Sequence, residues 1–168
     1  MVWEQEELFP TASEQEIQRT KFLLGKYTEM VSLMRDFEEN EPELSQVAVD
    51  GEAARRIDQE DLHADKTANA TILIEKQRWV YQRYRFYTQQ IRRAWGLIQD
   101  PEAKQAVDYR YLQGYSPKET LLFFRHSMSD STVRRRIEEG EVSIANTLKL
   151  MGFFELDNDK FDGGGKGE

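Results

Sequence analysis

The sequence contains no cysteine, which excludes disulfides, thiolate metal sites and cysteine nucleophiles. It has only two histidines, His63 and His126, far apart in the chain, and a histidine-based metal site would need carboxylate partners that nothing in the sequence arranges. No apolar run approaches the roughly 18 residues that cross a bilayer, so no membrane partner is expected. The first residues, Met1-Val-Trp-Glu-Gln-Glu-Glu, are acidic and lack the basic and apolar regions of a signal peptide. No glycine-rich phosphate loop follows a strand pattern, and no nucleophile, base and orienting group fall into a motif. Asp157-Asn-Asp-x-x-Phe-Asp has some of the spacing of a calcium loop but lacks its glycine and its terminal glutamate. These absences argue against an enzyme and lead to the expectation of no cofactor and no metal.

Charge is plentiful: 32% of the 168 residues are charged against 39% hydrophobic, which suits long solvated helices around a modest core. The net charge of −8 is unevenly spread. Residues 1–61 carry −10, residues 76–109 and 110–136 carry +4 each, and residues 137–168 carry −5. Because fields are screened within about 8–10 Å at ordinary salt, a basic middle can present a phosphate-binding face despite the acidic total.

The periodicity is helical almost throughout, and the expected fold class is all-α. Ser13 with Glu16 forms a capping-box signature, and Ile17, Leu24, Tyr27, Val31 and Met34 make one apolar stripe. That helix is expected to end near Glu39, before Asn40-Glu41-Pro42. A second stripe, Leu73, Val80, Tyr84, Tyr87, Ile91, Ala94 and Ile98, predicts a helix from about Asp65 to Gln99. The division expected is an acidic helical region over 1–45, a linker over 46–64 with room for a short helix inside Glu52 to Leu62, a long aromatic and basic helix over 65–100, a helix-turn-helix module over 101–156 and a flexible tail over 157–168. The two long helices are expected to pack as a hairpin or to pair with another copy as a homodimer.

From Pro101 the elements shorten. Asp100-Pro101 and Ser116-Pro117 are N-cap and N1 pairs, Glu119 completes a capping-box pattern, and Gln113-Gly114 is a stop. Ser129 caps a last long helix whose buried stripe is Val133, Ile137, Gly140, Ile144 and Leu148, with Gly140 permitting close helix approach. A helix, a short turn and a longer helix with small polar residues at its start is a helix-turn-helix layout. Such a recognition helix enters the major groove by its N-terminal end. Ser129, Asp130, Ser131, Arg134 and Arg135 stand there, and an arginine can grip guanine bidentately. Thr132 and Arg136 suit phosphates, and Lys118 and Arg125 would hold the first helix against the DNA backbone. The plainer reading is a solvated face in which the arginines pair with Glu138, Glu139 and Glu141. Adjacent arginines point in different directions, so all three cannot read bases, and one is expected to turn inward or backward. The aromatic and arginine run from Gln77 to Trp95 reads as helix core with arginines outside, leaving Arg83, Arg85, Arg92 and Arg93 as secondary phosphate contacts. His126 in the turn reads as a packing or phosphate residue.

The run Tyr109-Arg-Tyr-Leu-Gln-Gly-Tyr-Ser-Pro-Lys-Glu-Thr, followed by Ser129-Asp-Ser-Thr-Val-Arg-Arg-Arg, resembles the fourth conserved region of bacterial sigma factors. The layout, long helices before this module, is similar to that of the ArpU/RinA-type late transcription regulators of phages and prophages. The resemblance implies double-stranded DNA as partner, RNA polymerase as a second one, and the cytoplasm of a bacterial host. It makes Ser131, Thr132, Arg134 and Arg135 the DNA contacts. Thr120, Leu121, Leu122, Phe123 and Phe124 are bulkier than the sigma pattern, and no sigma region two is recognisable. The expected function is a sequence-specific DNA-binding transcription regulator. The alternatives are a small terminase-like packaging protein and a helical protein-interaction adaptor that does not bind DNA.

Overall fold

In the computed structural model, backbone is described for residue 4 and for residues 8–57 and 61–162. Side chains are described over the same stretches except at 47, 48, 51–57, 61–67 and 159–162. Among the described residues seven α-helices follow one another: α1 Glu14–Gly25, α2 Tyr27–Ile57, α3 Asp61–Gly96, α4 Pro101–Val107, α5 Pro117–Phe124, α6 Asp130–Leu150 and α7 Phe153–Asp162. A five-residue π-helical segment, Asp108–Leu112, continues α4. The fold is all-α, with no strand among the described residues.

The cap residues stand where backbone chemistry needs them. The Ser13 hydroxyl accepts the Glu16 N–H at 3.2 Å while Glu16 accepts the Ser13 N–H at 2.9 Å, a complete capping box. Asp100 accepts from Glu102 N at 3.0 Å, with Pro101 in the first turn. Ser116 caps α5 through Glu119 N at 3.1 Å, but Glu119 makes no hydrogen bond in return, so this box is half formed. Gly114 adopts φ 80 after the π-helical segment, a conformation that glycine takes without steric cost.

Four expectations about boundaries are corrected. The stripe from Ile17 to Met34 is divided, because the helix closes after Gly25 with Lys26 N–H on the Leu23 carbonyl at 3.1 Å and restarts at Tyr27. The second helix does not stop near Glu39 but runs through Pro42 to Ile57. Pro42 and Glu38 are both exposed, so the proline stands on a solvent-facing side of the helix. The linker expected over 46–64 is consequently helical over 46–57 and 61–64. The tail expected to be flexible from 157 is α7 up to Asp162, because Phe153, Phe154 and Asp157 are buried; its last six residues lie outside the described residues.

The chain divides into two units, 1–28 with 88–168, and 29–87. In the first, α6 is central. Leu23 and Leu24 of α1, Ala103, Ala106 and Val107 of α4, and Phe153 of α7 are all buried, as are Val133, Ile144, Ala145 and Leu148 of α6 itself. Gly140 sits where α4 crosses α6. A Cβ there would collide with Val107 Cγ2 and lie 3.4 Å from the Ala103 carbonyl oxygen. Polar clamps bind α1 to the C-terminal helices. Arg19 donates to both Asp157 oxygens at 3.0 and 3.2 Å, Lys149 to Glu16 at 2.8 Å, and Ala12 N to Asn146 at 2.8 Å. In the second unit, Phe37 packs on Tyr81 (5.1 Å between centroids), Tyr81 donates to Glu38 at 2.6 Å, and Arg78 donates to Glu41 at 2.9 Å. Pairing that falls on one helix as it rises on the other makes α2 and α3 antiparallel here.

One buried pair has a pH consequence. Glu141 of α6 is buried and accepts a hydrogen bond from Tyr111 at 3.2 Å. Burial pushes the Glu141 carboxyl above the ordinary carboxylate range, opposed by the charge of Lys21. Burial, then the Glu141 charge, pushes the Tyr111 hydroxyl up to about 12. A carboxyl whose pKa is raised by folding contributes stability only at low pH, and that contribution is lost as pH rises through the folded value. Glu141→Gln keeps an acceptor for Tyr111 and removes the buried charge. It is therefore expected to melt above the wild type at pH 7 and to converge on it below about pH 4. A constant offset across thermal melts from acid to neutral pH would refute this account.

Candidate nucleic-acid interface

The last part of the first unit is built on a small buried cluster. Ala106 of α4, Phe124 of α5 and Val133 of α6 form its centre, with Tyr109, Leu121, Met128 and Ile137 packed against it. The turn between α5 and α6 is closed by Ser127 N and Met128 N on the Phe124 carbonyl, at 3.0 and 2.8 Å. The Ser129 hydroxyl then accepts the Thr132 N–H at 3.3 Å, and it lies 2.8 Å from Thr132 Oγ1 and 3.3 Å from Ser131 Oγ. Ser129 is thus committed to starting α6, which fixes where the first two turns of that helix lie. Asp130 occupies the first helical position, where a negative charge opposes the positive end of the helix dipole.

With Val133 buried and α6 turning 100° per residue, Arg134 and Arg135 face away from the cluster, and both are exposed, as is Ser131 one turn earlier. Arg134 has no ion-pair partner among the described residues. Arg135 reaches Glu139 only at 4.0 Å with most of its side chain in water, a contact worth little. Lys118 in the first turn of α5, Arg125 at its C-cap and His126 beyond it are exposed as well. The outward face of α6 changes sign after these residues, because Glu138 and Glu139 follow on the next turn. Any polyanion on this face is confined to the first two turns.

Arg136 is different. Its guanidinium lies 2.9 Å from Glu102, 3.0 Å from Glu139 and 3.4 Å from Asp100, and its side chain is only 27% exposed. The hydrogen bonds it donates to Glu139 and Glu102 hold its pKa above the ordinary arginine value. Of the three consecutive arginines, this is the one that turns back, tying α6 to the first turn of α4. Its expected role as a phosphate contact gives way to this carboxylate clasp. Arg83, a secondary candidate, is likewise buried rather than outward. Arg92 and Arg93 remain exposed.

Sequence reading missed an aromatic feature beside this face. Tyr115 stacks on Tyr109 (4.1 Å between centroids) and Tyr109 on Phe123 (4.0 Å), forming a three-ring pile whose outer members are exposed, Phe123 by 50%. Leu122 beside it is 48% exposed. The signal was present: four consecutive apolar residues, Leu121 to Phe124, cannot all face inward on an eight-residue helix. Among the described residues no group of three or more histidine, aspartate or glutamate side chains is arranged to hold a metal, and no helix is long and apolar enough to cross a membrane. No known family model, curated protein or solved structure matches the chain.

Proposed function

We propose that this protein binds duplex DNA sequence-specifically through the first two turns of α6 and regulates transcription. The observation that carries the reading is the pair Arg134 and Arg135, outward and exposed, with only a 4.0 Å contact from Arg135 to Glu139, beside Ser131 at the start of a capped helix that three neighbouring segments buttress. In this reading Ser131, Arg134 and Arg135 reach base edges in the major groove. Thr132, Lys118 and Arg125 take phosphates, fixing register without reading sequence. Glu138 and Glu139 repel the backbone beyond the second turn, so the helix enters by its tip. The resemblance of residues 109–136 to sigma region four, and of the layout to ArpU/RinA-type regulators, supports the same assignment and suggests phage or prophage genes as targets. A second reading, contact with RNA polymerase or another protein, is favoured by the exposed Tyr115, Leu122 and Phe123, which DNA backbone would not require. The two are compatible on one molecule.

The test is selection from a pool of random duplexes at several salt concentrations. A DNA reader enriches a defined motif, and its log affinity falls linearly with log salt, with a slope near −0.9 per phosphate contacted. Absence of binding even at low salt would sink the assignment and leave the protein-contact reading.

A further inference from the structure

We propose that the groove face of α2 and α3 binds a second copy of this chain, about a twofold axis parallel to the helices, so that α2 of each copy lies on α3 of the other. The inference stands on the second unit alone and does not depend on DNA binding. An antiparallel helix pair has no interior of its own beyond the seam, and this one leaves an open groove of about 310 Å³. Leu33, Met34, Phe37, Val80 and Tyr84 line it, with Asp36 and Lys76 at its rims. Leu33 and Leu73, on the same side, are close to half exposed.

Charge selects the occupant. The exposed residues of α2 between 29 and 43 include Glu29, Asp36, Glu38, Glu39 and Glu43 against one base, Arg35. The exposed charges of α3 between 72 and 85 are Lys76, Arg78 and Arg85 against Glu75, with Arg78 also bound to Glu41 of its own chain. A twofold axis across the helices would set acid on acid. An axis along them sets the acidic helix of one copy on the basic helix of the other, using one patch twice, as an isologous dimer must. Heights agree as well. The pairs Glu38–Tyr81 and Glu41–Arg78 place Glu43 level with Lys76. In the dimer, Glu43 of each copy therefore meets Lys76 of the other at the edge of the apolar groove.

About sixteen residues of each helix give a face roughly 24 Å long and about 20 Å wide. Two copies then bury about 1,000 Å², the low end for a specific complex, and the association is expected to be reversible and micromolar.

Sedimentation of the full chain from micromolar to hundreds of micromolar is the test. The wild type is expected to pass from monomer to dimer. Lys76→Glu and Glu43→Lys should each weaken the dimer by about tenfold or more, and the chain carrying both should recover most of the loss. Val80→Glu should stay monomeric with unchanged helical circular dichroism; should it misfold, the two surface variants decide alone. A wild type that is monomeric throughout, or that forms larger rings, overturns the proposal. So do charge variants that dimerise normally, or a double variant no tighter than the single ones.

Discussion

Gly140→Leu is expected to abolish stable folding of the unit formed by residues 1–28 and 88–168. Where α4 crosses α6 an added carbon finds no room without a shift, because a Cβ at Gly140 would collide with Val107 Cγ2 and the Ala103 carbonyl stands beside it. Valine is stiff at χ1 and the carbonyl belongs to a helix, so neither can yield cheaply. Overpacking by single methylenes costs about 1–3 kcal/mol, and a leucine adds four carbons at this contact. The loss should exceed about 4 kcal/mol, a large share of the 5–15 kcal/mol that holds an ordinary domain together. Gly140→Ala is the informative intermediate. It gains about 1 kcal/mol of helix propensity and sets it against the collision. Combined with Val107→Ala, which removes the colliding methyl, it should destabilise less than the sum of the two single changes. Urea denaturation of the four chains measures the coupling, and strict additivity would mean the helices separate without strain.

The largest functional effect is expected from Arg134→Ala with Arg135→Ala. Each outward guanidinium that grips a guanine contributes about 1–3 kcal/mol of discrimination, so the pair should lower affinity for a selected site by roughly 30-fold to more than 1,000-fold. Binding to unrelated duplexes should fall much less. Lys118→Ala with Arg125→Ala should do the reverse, weakening every duplex alike and flattening the salt dependence. Arg136→Ala should act chiefly on stability, since its guanidinium is held by Asp100, Glu102 and Glu139. Competition binding with the selected and scrambled duplexes separates the three behaviours. If loss of Arg134 and Arg135 weakened both duplexes equally, they would be phosphate contacts and the reader would lie elsewhere.

Much of this architecture is written in local chemistry. Ser13, Asp100, Ser116 and Ser129 announce helix starts because an N-cap is a short-range requirement, and all four cap helices. Gly140 was legible as a close approach because a glycine within an apolar stripe costs helix stability unless something needs the room. What escaped was decided at long range. Nothing local says that Pro42 lies inside a helix, because a proline after Asn40-Glu41 reads equally well as a helix end. The division of the Ile17–Met34 stripe was hidden because its two parts serve different partners while keeping one period. That one of the three arginines must turn back was foreseeable; that it is Arg136 depends on Asp100 and Glu102, which chain separation of more than thirty residues conceals. The Tyr115–Tyr109–Phe123 pile needed the turn geometry between α4 and α5 before its rings could be seen to meet.

The clamps between α1 and the C-terminal helices impose an order in time. Arg19 and Asp157 are 138 residues apart in the chain, and Glu16 and Lys149 are 133 apart. At about 5–20 residues per second of synthesis, α1 leaves the ribosome on the order of 10 s before its partners exist. During that wait α1 lacks Lys149 and Asp157, the side chains that clamp Glu16 and Arg19, while the helix pair of residues 29–87 is being completed. α1 is thus made well before the helices whose side chains clamp it. Nascent chains stalled before α6 should expose it to a chaperone or protease, and those released after α7 should not.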